Sequence, residues 1–168
     1  MTVIIAGSPR KGMYSDRLAE AYKEKKENSI IFYARNLHGT PCKGCGYCKS
    51  KGNGICVQKD DISEALEIIR KADEIAFFSP IYWWQVTAQE RTVIDRLYAM
   101  KEDEWKGKKL TVVLNGAAED DDKEFTLLKE QFQEMADYIK ADLHFLGVGT
   151  TDDKAFENAL NKLNEFTM

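Results

Sequence analysis

Five short runs in this chain, residues 3–6, 30–33, 75–78, 110–114 and 143–148, are apolar nearly throughout instead of alternating apolar with polar. Strands of that kind must be buried on both faces, which points to a parallel sheet. Each run is followed by a stretch whose apolar residues recur at helical spacing. These are Leu18, Ala21 and Tyr22; Ile62, Ala65, Leu66 and Ile69; Val93, Leu97 and Met100; Phe125, Leu128, Phe132, Met135 and Ile139; and Phe156, Leu160 and Leu163. Strand and helix alternating five times in one domain predict a three-layer α/β sandwich. Right-handed crossovers leave few strand orders, and 2-1-3-4-5 is the common one, with helices on both faces. The chain has 168 residues, 43% of them hydrophobic, which suits one domain over 1–168 with a full core.

In that order a ligand crevice lies outside the carboxyl ends of strands 1 and 3, so the loops after them carry the candidate site. The first, residues 7–15, leads into a helix whose free amides and positive dipole end favour a phosphate. Ser8, Ser15 and the cation of Arg10 or Lys11 add donors. Gly7 and Gly12 are spaced as in a triphosphate loop, but Met13 and Tyr14 stand where its lysine and magnesium-binding hydroxyl are needed. There is no G-x-G-x-x-G either, so a bound nucleotide is expected to present a monophosphate, as FMN does. The plainer reading is a strand-to-helix turn capped by Ser15 and Asp16.

The second loop, residues 79–87, sets Tyr82, Trp83 and Trp84 in a row after Pro80 and Ile81. Flat rings there suit a flavin, with the backbone reading its polar edge; the competing reading is an apolar patch between subunits. Asn115 and Gly116, after strand 4, form a third wall. The acidic residues 119–122 read as a helix start rather than a metal site, and His38 and His144 have no sequence partner that suggests catalysis.

All four cysteines, Cys42, Cys45, Cys48 and Cys56, fall within residues 42–56 as C-x2-C-x2-C-x7-C. Gly52 and Gly54 let the intervening loop bring the fourth around. Structural zinc usually draws on two separated C-x2-C pairs, whereas three close thiols and a distal one suit an iron-sulfur cubane. Zinc, a redox disulfide and reduced thiols without metal are the alternatives. A net charge of −4 with scattered Lys and Arg argues against nucleic acid. The first apolar run is too short for a secretory signal and no segment approaches membrane-spanning length, so the expected setting is the cytoplasm, where thiols serve as ligands or redox groups.

Together the segments GSPRKGMYS, CKGCGYCKSKGNGICVQKDD and SPIYWWQVTAQERTVIDRLY resemble the flavodoxin-like NAD(P)H-dependent FMN reductases, and more narrowly the iron-sulfur flavoproteins among them. The resemblance implies a flavodoxin-like fold in which Ser8, Arg10 and Ser15, with Tyr14 beside them, hold the FMN phosphate. Pro80, Ile81, Tyr82, Trp83, Trp84, Asn115 and Gly116 would line the ring, and the four cysteines would ligate a four-iron four-sulfur cluster. The implied activity takes hydride from NAD(P)H and passes electrons to an acceptor, with the flavin and no side-chain acid or base carrying the chemistry. A homodimer or higher homo-oligomer is expected. A flavodoxin-like electron carrier, an FMN reductase without a cluster and a zinc-stabilised binding module are the alternatives. Two departures stand out. Met13-Tyr14-Ser15 replaces the family's usual Gly-Asn-Thr or Gly-Asn-Ser, removing one phosphate donor, and Glu90 or Arg91 stands where a lysine is usual.

Overall fold

The computed structural model describes residues 1–120 and 122–167. In chain order the elements are β1 (Thr2–Ala6), α1 (Tyr14–Glu24), β2 (Ser29–Tyr33), α2 (Asp61–Ile69), β3 (Glu74–Tyr82), β4 (Gln85–Val86), α3 (Ala88–Arg96), α4 (Glu102–Trp105), β5 (Lys109–Gly116), α5 (Lys123–Ile139), β6 (Asp142–Gly149) and α6 (Asp153–Phe166). Five strands pair in parallel in the order β2-β1-β3-β5-β6, the order expected from the alternation and the flavodoxin-like arrangement that the resemblance implies.

Successive residues along the central strands face opposite layers. Val3 and Ile5 of β1, Ile75 and Phe77 of β3, and Leu110, Val112 and Leu114 of β5 pack with Leu66 and Ile69 of α2, Val93 and Ile94 of α3, and Phe125, Leu128 and Phe132 of α5. On the other face Ile4, Ala6, Ala76, Phe78 and Val113 meet Leu18, Ala19 and Tyr22 of α1 and Phe156, Ala159 and Leu163 of α6. Burial on both faces holds fully for β1 and for most of β3 and β5. The edge strands β2 and β6 are mostly half-buried, because each has a neighbour on one side only.

The sheet has six strands, not five. β3 continues four residues past its expected end, through Ser79, Pro80, Ile81 and Tyr82, then folds back on the two-residue β4, pairing Ile81 with Val86 and Tyr82 with Gln85. The expected aromatic loop is therefore the end of a strand plus a two-residue hairpin turn. The short α4 was also absent from the sequence reading; its Glu104 carboxylate accepts from the Lys101 N–H and closes its first turn.

Three helices begin at aspartates. Asp60 accepts from the Ser63 N–H (3.0 Å), Asp122 from the Glu124 N–H (3.0 Å) and Asp152 from the Ala155 N–H (2.8 Å). The cap expected from residues 119–122 is thus supplied by Asp122. Asp120 instead accepts from the Gly149 N–H (2.6 Å), and Asp121 lies outside the described residues. Among the described residues no helix is long and apolar enough to cross a membrane.

Away from the loops, at the amino end of the sheet, the buried Glu74 carboxylate accepts from Thr2 (3.0 Å), Thr111 (2.6 Å) and Tyr22 (2.5 Å) and pairs with Lys26 at 3.0 Å. Burial pushes its pKa up, but bonds from Thr111, Tyr22 and Lys26 outweigh that and hold it at about 2.

Candidate functional site

The loop between β1 and α1 leaves the sheet at Gly7, whose N–H donates to the Phe78 carbonyl at 2.8 Å. Ser8 is buried and turns inward, where its Oγ accepts from the Arg10 N–H (3.2 Å) and donates to the Arg10 carbonyl (2.9 Å). Arg10 and Lys11 are exposed, and Gly12 turns the chain at φ 72°, its N–H donating to Asp16 at 2.7 Å. The residue capping α1 is Met13, which offers no side-chain bond to the first-turn amides. Ser15 and Asp16 therefore do not cap, as the plainer reading had it. Both lie inside the helix and face inward, and the first turn keeps its donors and positive dipole end for a ligand.

Ser15 donates to Asn115 Oδ1 at 2.5 Å, and Asn115 Nδ2 donates to Thr150 at 3.0 Å. That chain of buried polar groups ties the start of α1 to the carboxyl ends of β5 and β6. Ser15 and Asn115, 100 residues apart in sequence, are thus brought together as expected of one pocket. Gly116 follows, where a Cβ would stand 2.4 Å from Glu124 Oε1 and would displace the end of that side chain. Tyr14 stacks on Phe156 with ring centroids 4.9 Å apart and its hydroxyl donates to Asp153 at 3.2 Å, which turns it toward α6.

Pro80 is buried in the ladder opposite Asn115, Ile81 is half-buried and Tyr82 is exposed. Trp83 and Trp84 form the hairpin turn at φ 51° and 59°, with 88% and 61% of their surfaces exposed. A two-residue turn with both φ values positive favours Asn-Gly, and a bulky residue there is strained. Strain and exposure thus coincide at the same two indoles. Trp84 also borders a groove against α5 lined by Leu127, Leu128, Gln131 and Glu134.

The four cysteines are free; Cys48 is buried, Cys56 half-buried, and Cys42 and Cys45 exposed. All four line one pocket, together with Arg96. Gly44 and Gly46 take positive φ between them, and the Gly44 N–H reaches Cys42 Sγ at 3.4 Å. Among the described residues no three His, Cys, Asp or Glu side chains stand close enough to hold a metal ion. The thiols share a pocket without being drawn to ligand distance.

Several residues here escaped the sequence reading. Arg35, from the turn after β2, donates to the Ser8 carbonyl (3.1 Å) and to Asp16 (2.9 Å), bracing the first loop from beneath, and nothing in its local sequence signals it. Thr87 donates to the Gly7 carbonyl (2.6 Å) and accepts from the Glu90 N–H (3.1 Å), locking the two loops together. Thr87-Ala88-Gln89-Glu90 has the T-x-x-E form of a capping box and could have been read as one. Glu90, however, does not reach back to complete it. Its side chain is buried, both oxygens lack a partner among the described residues, and burial pushes its pKa well above the ordinary range. His38 and His144 are bonded to Asp61 (3.0 Å) and Asp142 (2.9 Å), away from both loops.

Residues 1–149 match the family described as NADPH-dependent FMN reductase. An iron-sulfur flavoprotein of Archaeoglobus fulgidus is 38% identical over 98 residues, covering 55% of this chain and 43% of that protein. One from Methanosarcina thermophila is 34% identical over 96 residues, 55% of this chain and 49% of that protein. The chain thus spans about half the length of these curated relatives. Among solved structures, an NAD(P)H:quinone oxidoreductase from Methanothermobacter marburgensis superimposes with a TM-score of 0.77 at 17% identity, covering 99% of this chain and 94% of that one. An FMN-dependent NADH-azoreductase from Bacillus anthracis does so with 0.73 at 15%, covering 99% and 97%. These likenesses bear on the fold. With the family match running from β1 through β6, the chain belongs to the NADPH-dependent FMN reductase family.

Proposed function

We propose that this chain is an FMN-dependent oxidoreductase of the cytoplasm that accepts hydride from NAD(P)H and delivers electrons to a second substrate. The observation that carries the reading is the start of α1, where an uncapped first turn faces a glycine loop and Ser15 is held by Asn115 beside the end of β3. Such a turn fits a monophosphate, through backbone N–H groups and the helix dipole. Ser8, Arg10, Tyr14 and Ser15 surround the phosphate in this reading. Pro80, Ile81, Tyr82, Trp83, Trp84, Asn115 and Gly116 border the ring, and the exposed indoles shield it from water or meet a second subunit in a homo-oligomer. A bound flavin supplies hydride acceptance and one- or two-electron donation. The protein's part is to anchor the phosphate, present one ring face and exclude solvent from the other.

The cysteine pocket supports a narrower reading as an iron-sulfur flavoprotein. Four free thiols and no competing acid or histidine line it, a donor set that suits a four-iron four-sulfur cluster. In that case Cys42, Cys45, Cys48 and Cys56 hold the cluster and give electrons a one-electron exit.

FMN titration tests the first reading. Replacing Ser8 and Ser15 together by Ala removes two neutral hydrogen-bonding groups, each worth about 0.5 to 1.5 kcal/mol, so the affinity should fall by roughly 5 to 150 fold. Unchanged affinity places the phosphate elsewhere. Turnover of NADH or NADPH with excess quinone separates an enzyme from a passive electron carrier. Iron and acid-labile sulfide assayed on protein prepared without oxygen test the cluster, and zinc or no metal under those conditions leaves a plain FMN reductase.

A further inference from the structure

Arg96, the last residue of α3, is 1% exposed and bound on nearly every side. Its Nη1 donates to the Thr40 carbonyl (3.0 Å) and Asp60 Oδ2 (2.8 Å), and its Nη2 to Asp60 Oδ1 (3.1 Å) and Ser63 Oγ (2.6 Å). Thr40 precedes the first cysteine and Asp60 follows the last, so one guanidinium fastens both ends of the cysteine segment. A bidentate fork of this kind needs arginine, and lysine could not supply it. The Nε–H alone is buried without a partner among the described residues. Arg96 lines the cysteine pocket, and a buried donor with no acceptor there calls for an explanation.

We propose that Arg96 is a positioning residue for the cysteine site, its Nε–H serving as hydrogen-bond donor to a sulfur in that pocket and raising the reduction potential of a cluster held by the four thiols. The guanidinium carries its charge at any working pH and lines the same pocket as the four thiols. Reduction adds negative charge to a thiolate-ligated cluster, and a donor or cation at its sulfurs favours the reduced form. Asp60 offsets part of that charge, which gives the two residues opposite effects.

The inference rests on the cluster reading, and the experiment separates the two. Protein carrying FMN is reconstituted anaerobically with ferrous iron and sulfide, and the cluster is titrated by electron paramagnetic resonance. Arg96→Gln should lower the reduction equilibrium constant at least tenfold, a shift of 59 mV for a one-electron couple. Asp60→Asn keeps a good helix cap and should raise the potential instead, while the flavin couple stays put in both variants. A purely structural role would cost iron in both without opposite shifts. If Arg96→Gln does not fold, the sign of the shift in Asp60→Asn decides. Potentials that do not move, or that move the same way, overturn the proposal alone. Wild-type protein that takes up no iron overturns the cluster reading and this inference with it.

Discussion

The Glu90 carboxyl is packed against the backbone of Gly7 so tightly that a Cβ on Gly7 would stand 1.7 Å from Oε2. Among the described residues neither carboxyl oxygen has a partner, and burial raises the pKa well above that of a free glutamate, which favours the protonated form in the fold. The unfolded chain ionises it above pH about 4.3. Because the folded-state pKa is the raised one, the folded form binds the extra proton, and stability is lost as pH rises from that point toward the folded pKa. Glu90→Gln removes the titration. As pH rises from about 4.3, its unfolding free energy should gain on wild type by up to about 1.4 kcal/mol per pH unit, measured by denaturant melts. A difference independent of pH would show that Glu90 is ionised in the fold.

The same contact predicts a rescue. Gly7→Ala forces the new methyl into Glu90, and overpacking of this kind costs about 1 to 3 kcal/mol. Glu90→Ala removes the carboxyl and leaves only its own Cβ, 2.8 Å from the new methyl, so the double variant should be more stable than additivity allows, by about 0.5 to 3 kcal/mol. Strict additivity in thermal or denaturant melts would mean that the loop relaxes away from α3 without help.

Trp83 and Trp84 sit in backbone conformations that suit Asn and Gly. Replacing the pair by Asn-Gly should relieve strain of about 1 kcal/mol or more and raise the melting temperature. The same change should reduce the quenching of tryptophan fluorescence on FMN addition and weaken FMN binding if the indoles border the ring. A stabilised variant with unaltered FMN affinity would assign the pair to a subunit interface.

Acid should act through Glu74. Its folded pKa of about 2 lies below that of the unfolded chain, so its contribution is present above pH about 4.5 and is lost as pH falls through 2. That contribution amounts to about 3 kcal/mol. Glu74→Gln should therefore be less stable than wild type at pH 7 and approach it near pH 2. A gap that persists at low pH would point to lost packing instead.

Much of this was legible because burial leaves a strong pattern. Runs such as Ile75 to Phe78 are apolar on both faces because α1, α3, α5 and α6 cover them, and that coverage also sets the strand order. The loops after β1 and β3 followed from the order alone, and Ser15 and Asn115 do meet there. The extension of β3 was hidden by Pro80, which ordinarily ends a strand but here occupies the last rung shared with β5. Arg35 and Arg96 were hidden because their partners, Ser8, Asp16, Thr40 and Asp60, come from other parts of the chain. Glu90 stood out only as a departure from the usual lysine, since a buried carboxyl without a partner has no sequence signature.

The cysteine segment is cinched at a neck. His38 and Asp61 exchange backbone and side-chain bonds, while Gln58 holds both the Thr40 hydroxyl and the Pro41 carbonyl. Residues 42–56 therefore emerge and return at nearly one point, much as a cassette is seated in a socket. Within the segment, Cys48 is buried against the core, Lys49 donates to the Met100 carbonyl (2.8 Å) and the Gly54 carbonyl accepts from Arg70, so it is seated along its length as well as at its neck. Because none of the neck's bonds involves a cysteine, the exposed Cys42 and Cys45 can be replaced while the path of β2 into α2 stays closed beneath them.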